Sequence, residues 1–373
     1  MRIAVVGPAH PYKGGGAQHA TELAHRLSVA GHQVALESWS AQYPRLLYPG
    51  QLTVDVPEVP LFEPTRRELS WARPLGWLRV GRRLGRSVDA VVLFVYSPVQ
   101  VPAYLGILQG LRRRARVVAL CNNVLPHERR AIDVRLMSSL LRRVDAVLVH
   151  SDEQANLAAT LTPAPAYVAS LPPHLAAASA PAPPAAGRTA EPHRRLLFFG
   201  MVRAYKGLDV LLRALADGPE DVSLRVAGEF WGGPAETEKL VADLGLVDRV
   251  ELRPGYVPVE QVTEVFADVD ALVLPYRSAT ASQNAYIAFD HGVPVIATRT
   301  GALADAVRDG VDGLVCAPDD VEDLAAALRR FYAPGEPARL RAGVRRVDAE
   351  PVWRAYVGTL VEAAGNQRQV PPP

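Results

Sequence analysis

Short apolar runs alternate with stretches of helical period along the whole chain. In the first half RIAVVG (2–7) reads as a strand, and AQHATELAHRLSVAG (17–31) as an amphipathic helix ending at Gly31. HQVALESW follows as a second strand; DAVVLFVY, RVVALCNN and DAVLVHS are further strands, each followed by helical pattern. The second half restarts the pattern with RRLLFFG, VSLRVAG, RVELRPG, DALVLP, PVIAT and GLVCA. Between these runs lie LDVLLRALADG, AETEKLVADLG, VEQVTEVFADV, a short helix behind the loop that opens at Leu274, and DDVEDLAAALRRFY. Strands that are apolar throughout are parallel and covered by helices on both faces.

The halves are separated by AAASAPAPPAAGRTAEPH (176–193), which is dominated by Ala, Pro and Ser and has no period, the mark of a linker. The expectation is an α/β chain of two doubly wound domains, 1–175 and 194–350, joined by that flexible segment. Ligands of such sheets lie at the carboxyl ends of the strands, so two facing domains would enclose a central cleft there. The last helical stretch, PVWRAYVGTLVEAAG (351–365), has no strand after it and is expected to cross back onto the first domain. NQRQVPPP completes the segment 351–373 as a frayed tail.

At 373 residues, 49% hydrophobic and 21% charged, the chain has the size and composition of a soluble two-domain protein. It lacks the run of about 18 apolar residues that a transmembrane helix needs. Its first apolar run is too short for a signal peptide and leads straight into a glycine loop, which favours the cytoplasm. Cys121 and Cys316 belong to no CxxC pattern, fit a reducing compartment, and are expected to be buried small hydrophobes.

The net charge of +2 conceals an asymmetry. Residues 1–190 carry 21 Lys and Arg against 12 Asp and Glu; residues 191–373 carry 20 against 27. A basic first domain suits an anionic partner (a membrane surface, a phosphorylated acceptor or a nucleic acid), or reflects only solvated Arg-rich helices. The densest basic stretch, residues 66–86, interleaves Trp71, Trp77 and Leu78 with arginines, a composition suited to a membrane interface. Pro74 and Gly76 are expected to interrupt it, so one continuous amphipathic helix is not predicted.

Two strand-to-helix loops carry candidate chemistry. After the first strand, Gly14, Gly15 and Gly16 precede a helix, where backbone amides can approach an anion at its positive end. The same triplet also serves as a plain flexible turn, and it is neither a spaced dinucleotide fingerprint nor a Walker loop. His19, inside the following helix, is expected to be a packing residue. The matching loop of the second half is FFGMVRAYKGLDVLL (198–212), with Arg203 and Lys206 ahead of Gly207 and a helix. Lysine occurs only at Lys13, Lys206 and Lys239, and two of these three stand directly before Gly in strand-to-helix loops. An Arg and a Lys three residues apart at a helix start can grip a diphosphate.

FFGMVRAYKGLDVLLRAL, VAGE, LRPGYV and the run from ADVDALVLPYR to GLVCAPDD follow one another between Phe198 and Asp320. In that order and spacing they resemble the donor domain of family 4 of the GT-B glycosyltransferases, whose fold is two Rossmann-like domains. GGGAQHATELAHRLSVAGHQV, CNNVLPHERR and VDAVLVHS look like the acceptor domain of the same family. The resemblance covers nearly the whole chain. It implies transfer of a sugar from a nucleotide-diphosphate donor to an acceptor hydroxyl with retention, without cofactor or bound metal, and with no nucleic acid as partner. Arg203 and Lys206 would hold the diphosphate and stabilise it as it leaves. Glu229 and the turn Gly255, Tyr256 and Val257 would lie near the nucleoside, with amides of Tyr256 or Val257 reading the base edge. Gly15 and Gly16 would face the phosphates or acceptor from the other domain. His127, in LPHE, would sit near the transferred sugar, or cap the next segment with its neighbouring Glu. The acceptor would be a polysaccharide, glycolipid or natural product, anionic or lipid-linked if the basic domain is a guide. Tyr43 and Tyr48 would form an aromatic acceptor wall, or pack their own loop.

Three departures from the family pattern stand out. Met201 occupies the place of an Arg after the strand-end glycine, and Asn122 that of a His. Ala279 and Ile287 replace both carboxylates of the signature in which two glutamates flank seven residues, and the second of these usually binds donor ribose. Some family members resemble YRSATQSG here and lack the pair as well. Ser282, Gln283 and Asn284, at a helix start, are expected to offer neutral donors to a diphosphate. Asp305 is expected to be a helix-start acid rather than a catalyst. The alternative is a degenerate GT-B homologue serving as a nucleotide- or partner-binding subunit; Arg203, Lys206 and Gly14 to Gly16 argue against it.

Overall fold

Successive residues of the first strand feed two different apolar layers. Ala4 and Val6 belong to one and Ile3 and Val5 to the other, all of them fully buried. A strand apolar on both faces must be covered on both, and the chain does this twice. A computed structural model describes residues 1–43, 52–54, 57, 59–128, 130–174, 192–280 and 282–365. Most of the linker, most of the loop that carries Tyr48, and the tail lie outside these residues. The chain forms two compact units, residues 1–177 with 349–373, and residues 178–348.

The first unit runs β1 (Arg2–Val6), α1 (Gly15–Val29), β2 (Gln33–Ala41), β3 (Thr65–Ser70), α2 (Pro74–Ser87), β4 (Ala90–Val95), α3 (Val101–Leu111), β5 (Arg116–Cys121), α4 (Ala131–Leu141), β6 (Ala146–Val149), α5 (Asp152–Leu161) and β7 (Ala166–Val168). The second runs β8 (Arg195–Phe199), α6 (Leu208–Ala216), β9 (Ser223–Gly228), α7 (Ala235–Asp243), β10 (Val250–Pro254), α8 (Val259–Ala267), β11 (Ala271–Leu274), α9 (Gln283–Asp290), β12 (Val295–Thr298), α10 (Gly301–Asp305), β13 (Gly313–Cys316), α11 (Val321–Phe331) and α12 (Glu336–Gly343). The last helix, α13 (Ala349–Gly365), belongs to the first unit.

Every pairing between these strands is parallel. The seven-stranded sheet has the order β3-β2-β1-β4-β5-β6-β7, and the six-stranded sheet β10-β9-β8-β11-β12-β13. Both are doubly wound, with the strand order reversing beside the first strand of each. Two strands escaped the pattern. β3 reads TRRELS, a polar edge strand whose register against β2 shifts twice. β7 has only three residues.

The basic stretch divides as β3, a turn, and α2. Pro74 does not interrupt α2 but begins it, since a proline at the first helical position loses no hydrogen bond. Gly76 lies inside the helix, contrary to expectation. The same helix must pass very close to α3. A methyl group on Gly81 would stand 2.1 Å from the Ile107 carbonyl oxygen, and one on Gly110 2.3 Å from that of Leu78.

α13 completes the first unit. Trp353, Tyr356 and Leu360 pack in the layer that holds Ile3, Val5, Phe94 and Leu120. A buried polar chain fastens it: His19 Nδ1 lies 2.9 Å from His174 Nε2, and His19 Nε2 lies 3.0 Å from the Tyr356 hydroxyl. His150 stacks on Tyr356, and its Nδ1 lies 3.2 Å from the Ala169 carbonyl oxygen. Burial pushes all three imidazoles down, His150 to about 4 and His174 to about 3, so the cluster is neutral. His19 is thus a packing residue. Both cysteines are buried, and desolvation raises each thiol to about 12.

Candidate active site

In each sheet the carboxyl ends of two strands meet where the order reverses, the usual ligand position of an open parallel sheet. In the second unit these are β8 and β11, so the loops after Phe199 and Leu274 are neighbours.

The loop after β8 is shaped by backbone. Gly200 and Gly207 both have positive φ, 95° and 65°. A methyl group on Gly207 would stand 2.0 Å from the Pro275 carbonyl oxygen, so only glycine lets this loop lie against the end of β11. Between the two glycines, residues 204–206 form one turn of 3-10 helix that delivers Lys206 to the start of α6. Its ammonium lies 5.3 Å from the centre of the Tyr276 ring. A methyl group on Gly200 would stand 3.2 Å from Asn284 Nδ2 and 3.7 Å from Lys206 Nζ. Gly200, Lys206, Tyr276 and Asn284 therefore converge. Arg203 stacks its guanidinium over Trp231, 4.5 Å from the ring centre.

Arg277 ties this loop in place. It binds Asp209 through two hydrogen bonds of 2.8 and 2.7 Å, donates to the Ala204 carbonyl at 2.8 Å, and bonds Asp319 at 2.7 Å. Its backbone N–H donates to the Tyr205 carbonyl. The Asp209 hydrogen bonds hold the guanidinium well above its usual range. Burial would raise the Asp209 carboxyl, but Arg277 brings it below the ordinary value.

Beyond Arg277, the loop after β11 is anchored by hydroxyl and backbone groups. Thr298 Oγ1 donates to the Tyr276 carbonyl at 2.6 Å, and the Ala302 N–H to that of Thr280. Ala279 is buried, and its carbonyl oxygen would stand 1.9 Å from a methyl group on Gly301. Ser282 caps α9, its hydroxyl accepting from the Asn284 N–H at 3.3 Å. Gln283 and Asn284 form the first turn. The Asn284 side-chain amide donates to the Phe199 carbonyl at 2.7 Å, binding the helix start to the end of β8. Ile287, one turn further, packs against the apolar layer that contains Val265 and Phe289.

A cavity of about 180 Å³ opens beside the end of β10. Gly255, Tyr256 and Val257 line it, together with Ala227, Val265, and Gln261 and Glu264 of α8. Glu229 follows β9, and its backbone carbonyl accepts from the Val202 N–H at 2.7 Å.

The remaining candidates lie in the first unit. Gly14, with φ 97°, precedes α1, and Gly15 and Gly16 form its first residues. Gly15 has nothing within 4 Å of an added methyl group, whereas Gly16 packs on Tyr96. His127 lies half-buried in the turn after Pro126. Asn122 follows β5, its Oδ1 buried and without a hydrogen-bond partner among the described residues. Asp305 ends α10 rather than starting a helix, because α10 begins four residues earlier at Gly301.

Trp231, Tyr276, Arg277, Gln261 and Glu264 were missed by the sequence reading. Arg277 had a signal, being the one basic residue in YRSATASQN, but its acidic partners lie 42 and 68 residues away in sequence.

The family described as Glycosyl transferases group 1 matches residues 193–333, and Glycosyltransferase Family 4 matches residues 13–172. The chain belongs to the family 4 glycosyltransferases of GT-B fold. Curated relatives include D-inositol 3-phosphate glycosyltransferases of Geodermatophilus obscurus, 35% identical over 196 residues, and Thermomonospora curvata, 35% over 179. These matches cover 47% and 45% of the chain but only 43% and 41% of the relatives, less than half their length. Among solved structures, sucrose-phosphate synthase from Thermosynechococcus elongatus aligns with a TM-score of 0.70 and 18% identity, over 97% of this chain and 98% of that one. Anabaena HepE in complex with UDP and glucose aligns with a TM-score of 0.70 and 15% identity, over 97% and 100%. These two likenesses are of fold.

Proposed function

We propose that the protein is a retaining glycosyltransferase that moves a sugar from a nucleoside-diphosphate donor to an acceptor hydroxyl. The observation that carries this reading is the convergence of Gly200, Lys206, Tyr276 and Asn284 at the carboxyl ends of β8 and β11. A diphosphate placed there would meet Lys206 and the first turn of α9, with Arg203 three residues before Lys206 in the same loop and no carboxylate in the loop 275–284 to repel it. As the bond from the anomeric carbon to the phosphate oxygen breaks, the acceptor oxygen bonds that carbon on the same face, and its proton passes to the departing phosphate oxygen. Arg203 and Lys206 stabilise the charge that develops on the leaving group, without a metal. His127 is assigned to the transferred sugar, Gly15 and Gly16 to the phosphates or the acceptor, and Glu229 with residues 255–257 to the nucleoside.

The acceptor is anionic or lipid-linked in this reading. Curated relatives bear the name of a phosphorylated cyclitol, inositol 3-phosphate. Residues 69–127 of this chain contain nine arginines and one acid, Asp89. Leu75, Arg79, Arg82 and Arg86 share the exposed face of α2, a surface suited to peripheral contact with an anionic membrane. No helix among the described residues is long and apolar enough to cross a membrane.

The test is nucleotide binding followed by transfer. UDP, GDP, ADP and TDP are compared by thermal shift, because a ligand that binds only the folded state raises its melting temperature. Donor turnover is then measured with pooled acceptors, and the anomeric configuration of the product is read by NMR. Arg203→Ala and Lys206→Ala should each weaken nucleoside-diphosphate binding; unchanged affinity would refute the site. Nucleotide binding without turnover of any donor would favour a binding subunit.

A further inference from the structure

Ile287 raises a chemical question that rests on the proposed function: which group accepts the hydrogen bonds of the donor ribose? Two adjacent hydroxyls leaving water need an acceptor, or the binding loses more than it gains. Ile287 offers none, and its side chain joins Val257, Val262 and Val265 in one apolar layer.

The cavity beside that layer has one carboxylate in its lining, Glu264. It stands on α8, one turn after Gln261, so both side chains project from the same side of the helix. Glu264 makes no ion pair or hydrogen bond among the described residues. Arg253, the cation that lines the cavity, is held instead by Glu251 at 2.6 Å. The cavity thus combines an apolar floor of Ala227, Val257 and Val265 with a carboxylate at its wall.

We propose that Glu264 accepts hydrogen bonds from the ribose hydroxyls of the bound nucleotide, supplying from α8 the acceptor missing at Ile287 on α9. A carboxylate has two oxygens and can receive both hydroxyls of a cis-diol at once. The same chemistry would also suit a base edge with two neighbouring N–H donors, as in guanine, and the test separates the two.

Dissociation constants of the intact protein for UDP, GDP and the 2′- and 3′-deoxy forms of UDP are measured by calorimetry, for wild type, Glu264→Ala and Glu264→Gln. Glu264 is exposed, so neither variant threatens the fold. The expected result is a loss of about ten-fold or more for UDP and GDP alike in Glu264→Ala. Removing a ribose hydroxyl should weaken wild-type binding and leave the Glu264→Ala variant's binding unchanged, because the two perturbations delete one interaction. Unchanged UDP affinity in both variants would overturn the proposal. So would a loss confined to GDP with ribose discrimination retained, which would assign Glu264 to the base. If wild type binds no nucleoside diphosphate at all, the functional reading fails, and this assignment falls with it.

Discussion

Lowering the pH from 7.5 to 5.5 should destabilise the first unit through its buried histidines. His19, His150 and His174 are neutral in the folded state, with His150 near 4 and His174 near 3. Once unfolded, each returns to about 6.5. Their folded values are depressed, so the stability they contribute is present above about 6.5 and is lost as pH falls towards the folded values. At pH 5.5 each imidazole would favour the unfolded chain by about 1.4 kcal/mol, and the three together by about 4 kcal/mol. His10, lowered chiefly by burial, acts in the same direction.

Glu37 opposes them. Burial raises its carboxyl to about 7 despite Arg83 at 2.6 Å. Its folded value lies above its unfolded one, so it destabilises the fold as pH rises through 7 and stabilises it as pH falls. Between pH 7.5 and 5.5 this returns about 2 kcal/mol. The net loss is therefore about 2 kcal/mol, a large part of a domain's usual 5–15 kcal/mol. Urea unfolding at constant ionic strength, followed by circular dichroism and tryptophan emission, measures it. His150→Phe keeps a ring over Tyr356 and removes one titration, so its loss should shrink by about 1.4 kcal/mol. Stability that stays flat or rises from pH 7.5 to 5.5, or an unchanged slope in His150→Phe, would refute the reasoning.

Further expectations concern packing and the loops. Gly207→Ala should displace Lys206, weakening nucleoside-diphosphate binding and costing roughly 2 kcal/mol or more by thermal unfolding; normal affinity would contradict the loop assignment. Arg277→Met should remove the side-chain tie between the Ala204 carbonyl, Asp209 and Asp319, loosening the same loop and reducing affinity while the melting temperature falls only slightly. Arg225, with its side chain 5% exposed, pairs with Glu251 and Asp268; Arg225→Met should cost about 2 kcal/mol, less than a fully buried pair, because both carboxylates can regain water. Gly110→Ala should force α3 away from α2 at about 1–3 kcal/mol, read as a lower denaturation midpoint.

Fold class was legible because parallel strands are written as nearly pure hydrocarbon. RLLFF, ALVL and VIAT can hardly be anything else, whereas TRRELS in β3 owes its strand to a neighbour at the sheet edge rather than to its own pattern. The glycine-bounded loop between β8 and α6 was legible as Arg203, Lys206 and Gly207 in local order. What could not be read was any partnership across long separations. Arg277 looks like one more loop arginine until Asp209 and Asp319 fold beside it, and Glu264 is one acid among several on an exposed helix until a cavity forms against it. Helix starts also misled: Asp305 looked like a first-turn acid, but the backbone turn at Gly301 had already begun the helix.

The return of α13 to the first sheet has a consequence for synthesis. Residues 178–348 are continuous and can fold as soon as they emerge. The first unit, although begun earlier, lacks Trp353, Tyr356 and Leu360 until the whole of the second unit has been translated. Burying such side chains contributes roughly 1.5–3 kcal/mol each, so residues 1–177 alone would wait with the part of that sheet face that α1 does not cover open to solvent. The first half to be made is then the last to be closed, and a nascent chain stalled before residue 349 would expose a finished second unit beside an unfinished first.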